Sequence, residues 1–437
     1  MTFSTSQKKI LKEGGWSAVG KIASALGAIV GIRLITEFVH KETYGKIGLL
    51  MGIMTLGINL FAAPLLSAAQ RFHSEDAIAK NIYLLRYTIL SMLKKSVGFL
   101  ICVLLLGGVF VRPVPYYVII ILIALLVLQV MRSLEISMFT AARKQKEVAI
   151  LSICDVWLKP ILAVLAVIVL GLSVASVLLG YTVAAGITLL IVYSVPIRIE
   201  GSDNSEIIFN IDMNLIKNIS IYALPLVPMA LVGWVSSLGD RYIIGGILGL
   251  EQVGIYTAGY GLISMPFLIT GGIIGQTLRP VYFQAVSSGN RMLQKKVLKT
   301  QILTTVTICC VGVLLVYFLK DLITLLLLAK EYRDVADLLP WIAAGICLQM
   351  ISQIFEGILL AFKKTVKLLI VHALGAAISV ISVFFLCRSL GLKGAAVACP
   401  IYYMSMVFVS VILSINLLKG PDDKKLQTTC LKKVLNH

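Results

Sequence analysis

Residues 116–141 read YYVIIILIALLVLQVMRSLEISMFTA, and the first sixteen of them carry no charge. A helix of about 20 apolar residues spans the roughly 30 Å hydrocarbon core of a bilayer, whereas a strand of a soluble sheet is far shorter. This stretch therefore predicts a membrane-crossing helix with Arg132 and Glu135 carried inside it. Similar runs lie on both sides, separated by charged or Gly/Pro-containing breaks. They predict spans at Glu13–Phe38, Thr43–Leu66, Ser96–Val111, Tyr116–Ala141, Val148–Leu170 and Val174–Val195. Six more follow at Ile219–Gly239, Val253–Thr277, Val297–Leu319, Ala336–Phe362, Val366–Leu386 and Gly394–Leu417. Composition agrees: 59% of the 437 residues are hydrophobic and only 14% charged, against about 25% charged in a soluble chain. The fold class is an all-α integral membrane protein of about twelve helices.

The net charge of +18 would suggest nucleic acid in a soluble protein, but in a membrane chain its placement matters more than its sum. With the N-terminus in the cytoplasm, about 26 of the 39 Lys and Arg fall on the cytoplasmic side. Lys8, Lys9 and Lys12, the set Arg143, Lys144 and Lys146, and the set Lys295, Lys296 and Lys299 lead this asymmetry. Both termini are then cytoplasmic, and no nucleic-acid partner is implied. Arg71 to Lys95 does not fit wholly into lipid. Ser74-Glu75-Asp76 reads as a helix start, and Ile78, Ile82, Leu85 and Ile89 make an apolar stripe, which predicts an amphipathic elbow in the interface.

Short matches recur along the chain. Arg33 and Arg241 are 208 residues apart, as are Arg71 and Arg279, and Gly45 matches Gly254 with one residue of slip. Ala141-Ala142-Arg143-Lys144 aligns with Ala361-Phe362-Lys363-Lys364, Gly171-Leu172 with Gly391-Leu392, and Ala175 with Ala395. Two six-span halves follow, residues 1–197 and 218–418, joined by a cytoplasmic linker at 198–217 and ending in a basic tail at 419–437. An even number of spans per half makes the repeats parallel, an arrangement that secondary transporters use.

Several chemistries are not indicated. The eight cysteines are scattered, form no CxxC pair and have no His at ligand spacing, so neither a metal site nor a disulfide framework is expected. Gly15 to Lys21 reads GxxxxGK, but Ile22 stands where a magnesium-binding Ser or Thr belongs and no strand precedes it. Gly15 and Gly20, with Gly27 and Gly31 beyond, read as packing positions on an apolar helix. No cofactor is expected, and any pumping must draw on a proton or sodium gradient, the membrane potential or the substrate gradient.

Charges inside spans are costly and so mark candidate sites. Lys21, Arg33, Arg132, Lys159 and Arg241 would make a cationic cavity suited to a phosphate-bearing substrate. Lys21 and Arg132 lie deepest, have no partner within one turn, and are the first candidates for substrate contact. Arg33 and Arg241 sit near the outer interface, where snorkelling is an equal alternative. Asp155 is a candidate for ion coupling, although Lys159 one turn on would neutralise it equally well. Glu135 and Glu356 are further coupling candidates, but pairing with nearby basic residues suits them better. Pro64, Pro225, Pro228 and Pro266 interrupt spans and are candidate hinges or gates, with a static kink as the alternative.

Glu42-Thr43-Tyr44-Gly45 after a Gly-rich first span, and Asp240-Arg241-Tyr242-Ile243-Ile244 followed by Val253-Gly254-Ile255-Tyr256, resemble polysaccharide exporters and O-antigen flippases. These belong to the multidrug/oligosaccharidyl-lipid/polysaccharide exporter superfamily. The resemblance implies two six-helix bundles forming a V around a central cavity that opens alternately to the two sides. It implies a bacterial inner-membrane flippase, not an enzyme, moving an undecaprenyl-pyrophosphate-linked oligosaccharide to the periplasmic leaflet. Basic cavity residues would hold the pyrophosphate, and a polysaccharide polymerase with its chain-length machinery would be the partners. An ion-coupled drug or metabolite antiporter of the same superfamily is the alternative. A membrane polymerase or acyltransferase is a third reading; it would want a larger outward loop than Lys320 to Asp337.

Overall fold

The computed structural model describes residues 5–73, 82–110, 115–194 and 213–418. The helix start at Ser74-Glu75-Asp76, most of the 198–217 linker, the tail at 419–437, and the side chains of Lys8, Lys9 and Lys12 lie outside the described residues. All regular structure among the described residues is helical, and twelve segments are long and apolar enough to cross a membrane. The helices are α1 (Thr5–Phe38), α2 (Lys41–Phe61), α3 (Ala63–Phe72), α4 (Ile82–Phe110), α5 (Tyr116–Ala141), α6 (Gln145–Leu170) and α7 (Val174–Ser194). Then come α8 (Met213–Ala223), α9 (Leu226–Leu248), α10 (Leu250–Ser287) and α11 (Arg291–Leu327). A 3-10 helix (Lys330–Leu338), α12 (Leu339–Ala361), α13 (Thr365–Leu390) and α14 (Leu392–Leu418) complete the chain.

The run at 116–141 forms one helix with the expected bounds, about 39 Å long at 1.5 Å per residue. Proline decides several breaks. Pro64 sits in the first turn of α3, Pro225 caps α9 and Pro228 lies in its first turn, where a missing N–H leaves no intrahelical bond unmade. Pro266 and Pro280 lie inside α10, and Pro160 inside α6. The third span begins earlier than Ser96: its apolar segment starts at Leu84. Leu85 and Ile89 are fully buried among the helices, with Leu93 beside them, which corrects the interfacial stripe at those two positions, while Ile78 lies outside the described residues. The charged neighbours Arg86, Lys94 and Lys95 hid that burial from the sequence.

The described residues fall into two compact units, Met1–Met265 with Ile323–Val335, and Pro266–Leu322 with Ala336–His437. In the first, α1 runs along α6 through small residues: Gly20 faces Ala149, Gly27 faces the Trp157 ring, and Gly31 faces Pro160. Trp157 Nε1 donates to the Ala23 carbonyl at 3.1 Å. Gly20 of the phosphate-loop lookalike is thus a packing position, while Gly15 meets open space. Helices α2 and α10 cross at Gly45 and Gly254. A Cβ on Gly45 would land on the Leu250 carbonyl oxygen, and one on Gly254 on the Lys41 carbonyl oxygen. An ion pair between Lys41 and Glu251 closes the same crossing. The segment Ile323–Val335 packs on the α1–α2 loop, where the Tyr332 hydroxyl donates to the Val39 carbonyl at 2.6 Å.

In the second unit α12 and α13 both pack on α14, just as α5 and α6 both pack on α7 in the first. The turns that join these helix pairs are alike in detail. Ala142 N donates to Met138 O, Arg143 N to Thr140 O and Lys144 N to Phe139 O. Phe362 N donates to Ile358 O, Lys363 N to Leu360 O and Lys364 N to Leu359 O. Arg143 and Lys363 both take a left-handed backbone, φ 59° and 56°, and Gly171 and Gly391 end the second helix of each pair at φ 87° and 62°. The internal repeat therefore extends to backbone geometry.

Candidate functional site

Arg132 on α5 and Asp155 and Lys159 on α6 come together inside the first unit. Arg132 Nη1 is 2.5 Å and Lys159 Nζ 2.9 Å from the same oxygen, Asp155 Oδ2. Their side chains are 10%, 7% and 20% exposed. Two cations thus share one carboxylate, leaving a formal charge of +1 in a place where an uncompensated ion costs several kcal/mol. Asp155 Oδ1 and Arg132 Nε are buried with no hydrogen-bond partner among the described residues, so the cluster keeps unused polar capacity.

Lys159 also reaches a cavity of about 350 Å³, which it lines together with Arg241 of α9. Gly48, Gly52 and Thr55 of α2 form one wall, and Tyr44 and Tyr181 bring phenol rings. The Asp-Arg-Tyr run explains how Arg241 is aimed. Asp240 Oδ1 accepts from the Arg241 backbone N–H at 2.8 Å, and Oδ2 accepts from the Tyr256 hydroxyl at 2.7 Å. The Arg241 guanidinium donates to the Ser237 carbonyl at 3.0 Å and lies 4.8 Å over the Tyr260 ring. Tyr242 donates to the Leu49 carbonyl at 2.7 Å and Trp234 Nε1 to the Gly52 carbonyl at 2.8 Å, fastening α9 to α2. Gly254 of the Val-Gly-Ile-Tyr run supplies the α2–α10 crossing. Asp240 and Tyr256 of this signature thus position Arg241 at the cavity, while Tyr242 ties α9 to α2.

The other expected residues stand apart from this lining. Lys21 is half-buried on α1 and meets no carboxylate among the described residues. Arg33 pairs with Glu37 one turn on at 2.5 Å, a partly exposed ion pair. Arg132 is held by Asp155 on the neighbouring helix, a partner that spacing along one helix does not reveal. Glu135 pairs with Arg86 of α4, again across helices. Glu356 lies in the second unit, bonded to Ser352 and facing His372. Tyr181, Gly48 and Gly52 went unnoticed in the sequence, and Tyr44 was read only as part of the Glu-Thr-Tyr-Gly run, because tyrosine and glycine within apolar runs look like ordinary packing residues. A second cavity of about 480 Å³, lined by Lys46, Leu49, Pro115, Tyr117, Ser173 and Val174, lies in the same unit. Among the described residues no three His, Cys, Asp or Glu side chains gather as a metal site would require.

The fold is that of the MOP superfamily transporters. The structure is similar to a multidrug resistance MATE family transporter of that superfamily in an inward-facing conformation, at 14% identity, a TM-score of 0.71, and 96% of each chain covered. It is similar to a MOP superfamily transporter from Pyrococcus furiosus at 15% identity and a TM-score of 0.67, covering 94% of this chain and 95% of that one. The lipid II flippase MurJ in an inward closed conformation matches at 12% identity and a TM-score of 0.66, over 92% of this chain and 87% of that one. No curated protein matches the chain in sequence. Residues 10–286 match the polysaccharide biosynthesis protein family, and the chain belongs to it, with twelve segments among the described residues long and apolar enough to cross a membrane.

Proposed function

We propose that the protein is a flippase that carries an undecaprenyl-pyrophosphate-linked oligosaccharide from the cytoplasmic to the periplasmic leaflet of the bacterial inner membrane. The observation that carries this reading is the cavity shared by Lys159 and Arg241, a size that suits a small polar headgroup. Arg241 offers a planar fork to a phosphate, and Lys159 a point charge beside it. Asp155 already faces two cations, so the cluster keeps net positive charge and favours an anionic cargo over a cationic drug. Arg132 holds Asp155 in place, Lys21 and Arg33 are contacts elsewhere along the path, and the polyprenyl tail stays in lipid. Both termini are cytoplasmic by the distribution of Lys and Arg. Delivered repeat units would pass to a polymerase on the periplasmic side. No residue here reads the sugar.

Reconstituted transport of an undecaprenyl-diphosphate oligosaccharide tests this. Arg241→Ala and Lys159→Ala should each lower the rate at least tenfold, about 1.4 kcal/mol of lost interaction, while the protein still inserts. Wild-type rates in the double variant would move the pyrophosphate site elsewhere. Normal periplasmic delivery of repeat units in cells lacking the protein would remove the function.

A further inference from the structure

Glu356 on α12 is a carboxylate inside a membrane span, five residues before the helix ends at Ala361. Its side chain is 11% exposed; Oε1 accepts from the Ser352 hydroxyl at 2.7 Å, and Oε2 lies 3.4 Å from His372 Nε2 of α13. His372 is seven residues into α13, so both groups sit about 8–10 Å along their helices from the shared turn. A buried carboxylate needs a compensating partner. In the first unit Glu135 has the guanidinium of Arg86. Glu356 instead faces an imidazole, whose charge changes near neutral pH.

The surroundings leave few other groups to take part. From α10 comes Arg279, whose Nε is 3.7 Å from where a Gly357 Cβ would stand and has no hydrogen-bond partner among the described residues. Tyr282 is the other ionisable group on that stretch of α10. Helix α13 adds Lys367 near its start and Cys387 and Arg388 near its end, and α12 adds Cys347. Helix α14 has only Cys399, Tyr402 and Tyr403 beyond Lys393, and α11 only Cys309, Cys310 and Tyr317 between Lys299 and Lys320.

We propose that Glu356 and His372 form a proton-binding site of the transporter, with the imidazole taking up and releasing one proton per cycle. Bare, the pair carries one negative charge, which Arg279 balances nearby. Protonated, it is an imidazolium–carboxylate pair that draws α12 and α13 together at this level and leaves Arg279 uncompensated. The change of charge is what a coupled movement can sense. Sodium fits this place poorly, since a hard cation seeks several oxygens and one face here is an imidazole nitrogen. The proposal deepens the transport reading above and does not depend on which lipid is carried.

The test uses the full chain in lipid nanodiscs with ¹⁵N-labelled histidine, in a His40→Gln, His73→Gln, His437→Gln background that leaves the pair intact. No substrate is added. The His372 ring should titrate with a midpoint between about pH 5.5 and 8.5, and Glu356→Gln should lower that midpoint by about one unit or more. A ring that keeps one charge state from pH 5 to 9, or a midpoint indifferent to Glu356→Gln, overturns the proposal. A second arm loads proteoliposomes with a pH-sensitive dye and supplies an undecaprenyl-diphosphate oligosaccharide. Substrate-dependent proton movement should fall at least tenfold in His372→Gln; equal proton movement in both, or driving by a sodium gradient alone, overturns it. A titrating pair in a protein that moves no such lipid keeps the proton site and removes the cargo proposed above. Lipid transport that ignores pH in wild type and His372→Gln alike does the reverse.

Discussion

Met138 to Lys144 and Ile358 to Lys364 make the same three backbone hydrogen bonds 220 residues apart, yet the helices that flank them bury different chemistry. The pair α5–α6 holds Arg132, Asp155 and Lys159, with Glu135 tied to Arg86. The pair α12–α13 holds Ser352, Glu356 and His372, of which one partner can change charge. At the 220-residue spacing, Gly375 stands where the first unit has Asp155, and Met406 where it has Gly186. The two glycines are packed differently. Met406 packs against Gly375 in one unit, whereas in the other Gly186 meets nothing closer than Leu128, at 3.9 Å from its would-be Cβ. The repeated turn thus occurs with Asp155 in one unit and a glycine at the matching position in the other, so the turn itself does not demand the ions of the first unit. Under the flippase reading proposed above, an anionic cargo gives them a role.

The largest test of this contrast is Asp155→Ala, which leaves Arg132 and Lys159 facing each other without a counter-ion. It should cost about 3–5 kcal/mol, read as a drop in the thermal unfolding temperature in detergent. An unchanged midpoint would mean that the charges are solvated and the cluster is not structural. Next comes Met406→Ala, expected to cost about 2–3 kcal/mol by opening a cavity beside Gly375. The smallest effect concerns the turns themselves. Arg143→Gly and Lys363→Gly relieve a left-handed backbone and should each raise stability by about 1 kcal/mol. Equal gains sharpen the repeat, and unequal ones break it.

What could be read in the sequence, and what could not, follows from the reach of each interaction. Span bounds such as Tyr116–Ala141 were legible because lipid selects long apolar runs. The turn match was legible because Ala-Ala-Arg-Lys and Ala-Phe-Lys-Lys are contiguous. The Arg33–Glu37 pair was within reach too, four residues apart on one helix, yet Arg33 invited a substrate role first. By contrast, Arg132–Asp155 and Arg86–Glu135 join different helices, and no periodicity along one helix predicts them. Leu85 and Ile89 belonged to the apolar stripe of the predicted elbow, but amphipathicity does not say whether the apolar side meets lipid or protein. Lys159 and Arg241 were both candidates, while their meeting at one cavity depended on where α6 and α9 lie in space.

The crossing of α2 and α10 has a consequence for how this chain can vary. At most tight helix contacts, a bulkier residue on one side can be absorbed by a smaller one on the other. At Gly45 and Gly254 the obstacle is a main-chain carbonyl, and a peptide group has no smaller version. No compensating second change exists, so the two positions are independently locked. A screen for suppressors of Gly45→Ala should return only reversions, whereas Gly375→Ala should be rescued by shortening Met406.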